Sequence, residues 1–129
     1  EQLARLAAKS MTAERFPADP FVGGAAERVL PDSALLQAWA IGGARLLAIP
    51  AEPTSELGSE LRAAIATRFP DATPFVVAHA NEWTGYALTG RGYEQGGYES
   101  CLSFLGADFG QELVGRSDVA LQKLAGLAP

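Results

Sequence analysis

Apolar positions change their period several times along the chain, and each change marks an expected element. From Glu1 to about Phe16, Leu3, Leu6, Ala7 and Met11 recur at helical spacing with charges between them, which predicts an amphipathic helix ended by Pro17 and Pro20. Asp19 to Ser33 is rich in Pro, Gly and Ala without a period and reads as a connection, with a short strand at Glu27 to Leu30. Ala34 to Ile41 and Ala44 to Pro50 are apolar runs joined by Gly42-Gly43, a link of the kind that closes a β-hairpin. Leu57, Leu61, Ile65 and Phe69 then mark one face of a helix, with Thr54 or Ser55 as its cap and Pro70, Asp71 and Ala72 as its stop.

The next strand, Thr73 to Ala80, follows that helix at a distance that suits a βαβ crossover. Phe75, Val76, Val77, Ala78 and Ala80 make it almost continuously apolar, as in a strand covered on both faces. At Asn81 the apolar period stops, and a glycine- and tyrosine-rich loop runs to Glu99, with Tyr86, Tyr93 and Tyr98 each near a glycine. Ser100 to Leu105 is short and apolar. Gly106 to Gly110 opens a last helix to about Leu124, capped by Asp108 and striped by Phe109, Leu113, Ala120 and Leu124. The expected fold class is α/β: a mixed sheet with a β-hairpin and a βαβ crossover, helices packed on it, in one domain over residues 1–129.

Composition narrows the function classes. The chain has 129 residues, 48% hydrophobic, enough for one core. A net charge of −5 and the lack of basic clusters argue against a nucleic-acid backbone or an anionic membrane surface as main partner. The single cysteine, Cys101, excludes an intramolecular disulfide and reads as a small buried hydrophobe. No apolar run approaches the roughly 20 residues of a transmembrane helix, and the opening EQLARLAAKS carries charges where a signal peptide has its apolar centre. The reading is a soluble chain, secreted or cytoplasmic. Its opening at Glu1 inside a helical pattern suggests a processed product or part of a longer chain.

Candidate chemistry gathers at one sheet edge. Glu52 follows the second hairpin strand, and the strand after the helix delivers His79, Asn81, Glu82 and Tyr86 to the same edge, because parallel strands end on one side. Convergence of Glu52 with Tyr86 is thus a topological expectation. A carboxylate and a phenol meet either at a zinc ion, whose charge favours the phenolate, or in a plain hydrogen bond. A catalytic zinc needs at least three protein ligands, usually with histidine, and His79 is the one histidine. Trp39 lies in an apolar strand and reads as core, whereas Trp83 either lines an apolar substrate groove or packs. Phosphate-binding glycine loops and a GxSxG elbow are missing from the sequence. Ser100, Cys101 and Ser103 have no nearby His/Asp support, so a hydrolase with its own nucleophile finds little basis.

Two segments together resemble the neutral ceramidase family, the neutral/alkaline non-lysosomal ceramidases. Ile49-Pro-Ala-Glu-Pro-Thr-Ser-Glu-Leu-Gly58 is similar to the family's strand, Pro-Gly-Glu turn and following helix. Ala80-Asn-Glu-Trp-Thr-Gly-Tyr86-Ala-Leu-Thr89, with Gly92-Tyr-Glu-Gln-Gly-Gly-Tyr98-Glu99, resembles its block of Asn, Gly/His-Tyr-x-x-Thr and Tyr-Glu. The likeness runs from about Ala34 to the end. It implies a zinc-dependent amidase that cleaves the N-acyl bond of ceramide, or of a related lipid amide, to a sphingoid base and a fatty acid, with water on the metal as nucleophile.

In that family zinc is held by two histidines, a glutamate and a tyrosine. Matching the motifs assigns the glutamate to Glu52 and the ligand tyrosine to Tyr86, with Tyr98 as the catalytic tyrosine that contacts the substrate's polar head or the oxyanion. The two histidines and a serine near the substrate belong to the family's N-terminal half, outside these residues, and His79 matches neither histidine motif. Ala51 stands where the family carries glycine. The resemblance therefore implies the C-terminal half of a larger catalytic domain, partnered by the missing half and by a lipid amide, inactive alone, and with apolar surface that promotes homo-oligomers. The competing reading is a non-catalytic ligand-binding or structural domain that keeps the fold without a complete metal site.

Overall fold

The structure, a computed structural model, describes residues 11–17, 30, 31 and 33–127. The hairpin forms at the expected glycines. Strand β2 (Ser33–Ile41) and strand β3 (Ala44–Ala48) run antiparallel, with Ile41 opposite Ala44 and Gln37 opposite Ala48. Ala34, Leu36 and Ala38 of β2 are fully buried, whereas the residues between them are only half-buried, the alternation of a strand with one face on the core.

Beyond β3 come the two-residue strand β4 (Glu52–Pro53), helix α1 (Ser55–Arg68) and strand β5 (Thr73–Val77). Strand β5 lies parallel to β3, with Leu46 opposite Phe75, and this pair with α1 makes the βαβ unit. Leu57, Leu61 and Ile65 of α1 are fully buried. Thr54 occupies the cap position in extended conformation, but its side chain makes no capping bond. Strand β6 (Tyr86–Ala87) pairs in parallel with β4, and two short helices follow, α2 (Gly90–Gln95) and α3 (Tyr98–Cys101). Helix α4 (Phe109–Leu127) closes the described chain, burying Phe109, Leu113, Ala120 and Leu124 along with Leu121 and Ser117. The Asp108 carbonyl accepts the amide of Glu112 at its start.

The core lies between α1 and α4 on one side and the face of the sheet that carries Leu36 and Leu47 on the other. Gly110 lets α4 cross directly over β6, since a Cβ there would overlap the Leu88 carbonyl oxygen. The result is the expected mixed α/β sheet with helices packed on it.

Five local expectations are corrected. Met11 to Phe16 belong to a strand, β1 (Met11–Pro17), which pairs antiparallel with β2, Met11 opposite Trp39. The edge of β2 offers a row of backbone donors and acceptors, and pairing with them outweighs a weak helical period. Residues 1–10, and the strand expected at Glu27 to Leu30 apart from Leu30 itself, lie outside the described residues. Leu30 is buried in a bend.

Strand β5 stops at Val77 and is covered on one face only: Phe75 is 49% exposed and Val77 43%. Trp39, on that same open face, is half-buried and no part of the core. The stretch from Asn81 to Glu99 is only partly loop, because α2 and α3 occupy much of its second half. Cys101 is exposed on α3, since a four-residue helix at the surface has no core face to bury it.

Candidate metal and substrate site

Backbone pairing builds the site from two distant segments. Where β3 ends, the chain from Ile49 to Thr54 is clasped on two sides. The amides of His79 and Ala80 donate to Ala51 and Ile49, at 3.2 and 2.9 Å. The amides of Glu52 and Thr54 donate to Gly85 and Ala87, each at 3.0 Å, while Thr84 gives both its amide and its hydroxyl to the Pro50 carbonyl at 2.8 Å. Register then puts Glu52 directly opposite Tyr86. Gly85 makes the approach possible: its φ is +94°, and a Cβ would lie 2.6 Å from the Leu102 carbonyl oxygen and 2.8 Å from the Phe104 ring.

The loop between β5 and β6 is tied to the sheet by side chains. Continuing the β2–β3 register places Pro50 opposite Leu35, and proline has no N–H for the ladder. Glu82 and Asn81 stand in for the missing strand. The Leu35 amide donates to Glu82 Oε2 at 2.9 Å, and Asn81 Nδ2 reaches the Leu35 carbonyl at 3.4 Å and Gln37 Oε1 at 2.9 Å. His79 and Asn81 both hold positive φ, 53° and 70°, a conformation that costs most residues about 1 kcal/mol or more.

Around Glu52 the polar groups converge. The register sets Tyr86 beside Glu52. Burial, then the Glu52 carboxylate as acceptor and as nearby charge, raise the Tyr86 phenol above its ordinary value, with smaller contributions from Tyr98 and Glu99. His79 Nε2 lies 3.2 Å from Glu52 Oε2, with side-chain exposures of 52% and 37%. The Tyr98 ring meets Tyr86 edge-on, centroids 5.9 Å apart, and is 69% exposed. Trp83 stacks near-parallel to His79 at 6.5 Å and takes Phe104 edge-on at 5.8 Å, and its Nε1 is buried without a hydrogen-bond partner. Tyr93 lies half-buried on α2. The Ala51 methyl, the departure from glycine, is fully buried in the core.

No family model and no curated protein matches the chain. Among solved structures it is similar to a ceramidase complexed with C2, at 24% identity and a TM-score of 0.69, over 78% of this chain and 16% of that one. It is also similar to the neutral ceramidase from Pseudomonas aeruginosa, at 26% identity and a TM-score of 0.56, over 73% of this chain and 16% of that one. The chain has a neutral-ceramidase-like fold. It spans about a sixth of the length of those ceramidases. Within the ceramidase-like fold, the described residues hold no group of three or more His, Cys, Asp or Glu side chains that could bind a metal ion, and no helix long and apolar enough to cross a membrane. The β4–β6 register sets the Glu52 carboxylate and the Tyr86 phenol side by side.

Sequence reasoning brought His79 to the Glu52 edge without pairing the two side chains, and it missed the ties of Glu82 and Asn81 to β2. His79 meets Glu52 although it matches neither family histidine motif. Its position two residues beyond the last β5 residue, beside the Glu52 strand, was the available signal. The Glu82 and Asn81 ties to β2 left none, apart from the proline at the β3 end.

Proposed function

We propose that the chain supplies the glutamate and tyrosine ligands of a zinc-dependent amidohydrolase related to neutral ceramidase, as the C-terminal half of a larger catalytic domain. The observation that carries this reading is the β4–β6 register, which sets an acidic and a phenolic residue from separate segments side by side. Hard oxygen donors of this kind suit zinc, and two of them make half of a site. When bound, zinc would act as a Lewis acid on the amide carbonyl. Glu52 and Tyr86 would hold it, and the two remaining ligands would be histidines outside these residues.

The other residues divide the work by exposure. The phenol of Tyr98, open to solvent beside Tyr86, would donate to the oxyanion as the N-acyl bond of a ceramide or related lipid amide is attacked. Trp83, half-buried between His79 and Phe104, offers its remaining apolar surface to the lipid portion of the substrate. Titration of the chain, complemented with a histidine-bearing N-terminal half, should show one zinc per complex and weaker binding in Glu52→Ala and in Tyr86→Phe. Unchanged affinity in both variants would sink the ligand assignment. The 129 residues alone should show no amidase turnover, and robust hydrolysis by them would refute the half-site reading.

A further inference from the structure

We propose that His79 is a positioning residue that aims the Glu52 carboxylate, an inference that rests on the zinc reading above. His79 Nε2 stands 3.2 Å from Glu52 Oε2, within ion-pair distance of a carboxylate that can only accept. Tyr86 and His79 are the side chains that flank the Glu52 carboxylate. Carboxylate ligands held in this way bind metals more tightly, because the partner removes rotamers that face away from the ion.

The imidazole is itself held at its backbone and flanked on one face. Its backbone amide donates to the Ala51 carbonyl, one residue before Glu52, so ring and target are attached to the same short clasp. Its ring lies against Trp83, tilted by 13°, and Trp83 is in turn wedged on Phe104. The backbone carries the cost of this arrangement, because a φ of 53° is unfavourable for a side chain with a Cβ. Strain at a half-exposed residue in contact with the candidate ligand is what a fold retains where the side chain has to stand in one place.

Side-chain and backbone contributions separate in His79→Gly, which removes the imidazole and at the same time permits the positive φ. In the 129-residue chain this variant should unfold at the same or higher denaturant concentration. In the complemented protein, titration with zinc and with cobalt should show affinity reduced by roughly ten- to a hundredfold. His79→Gln, whose amide N–H reaches about as far as Nε2–H, should recover part of the loss. The visible absorption of the cobalt form should keep the band positions of the unsubstituted protein, because no metal ligand has been removed.

Unchanged affinity in His79→Gly, or a glutamine variant no better than the glycine one, overturns the proposal. Shifted cobalt bands in His79→Gly also overturn it, by making His79 a ligand. If Glu52→Ala too leaves affinity unchanged in the same titration, the zinc reading itself has failed; if only His79→Gly does so, that reading stands.

Discussion

Single atoms decide two features of the site. At Gly110 the missing Cβ is what lets α4 lie on the Leu88 carbonyl, so Gly110→Ala forces backbone apart and should cost about 3 kcal/mol in urea unfolding. Gly115, on the same helix with open space around it, gives the opposite sign: Gly115→Ala should stabilise by about 0.5–1 kcal/mol. Equal stabilities for the two variants would remove the close crossing from the description. At Tyr86 the sign follows from proton binding. The folded chain holds the phenol proton above the value in the unfolded chain, so this contribution is complete below pH about 10 and fades as pH rises through the raised folded value. Unfolding midpoints between neutral and strongly alkaline pH should fall in the unsubstituted chain, and Tyr86→Phe should flatten that fall.

Elements were legible where their own residues carried a period. The β2–β3 hairpin announced itself through Gly42-Gly43, and α1 through Leu57, Leu61 and Ile65, all of which are buried as expected. Strand β1 was misread because its partner is remote in sequence: the Met11 to Trp39 pairing is a property of two segments, and local spacing holds no trace of it. Helices α2 and α3 bury no residue, so there was no apolar face to detect. What marks the first of them is Thr89, whose hydroxyl accepts the Gly92 amide at 3.1 Å and meets Glu56 at 3.0 Å. The meeting of Glu52 and Tyr86 could be expected from topology alone, because two parallel strands end on the same edge. The same argument brought His79 to that edge, but its direct approach to Glu52 depends on a positive φ that no residue pattern signals.

Among the described residues, helices cover the sheet on one side. Its other face presents Ile41 at 60% exposure together with Phe75, Val77 and the half-buried Trp39 and Leu46, an apolar stripe across three strands. Apolar area of that kind on an isolated chain promotes association. Sedimentation of the 129 residues should show concentration-dependent oligomers, and Phe75→Glu, placing a charge mid-stripe, should shift them toward monomer. Identical profiles for the two proteins would detach the stripe from self-association.

The passage from Ala78 to Gly85 has the shape of a loop, yet nearly every residue in it has an appointment with a fixed partner: Ala80 with Ile49, Asn81 and Glu82 with Leu35, Thr84 with Pro50. Loops ordinarily absorb insertions and deletions at little cost. Here one added or lost residue would move Glu52 and Tyr86 out of register, so between this chain and its descendants the passage can change its letters far more freely than its length.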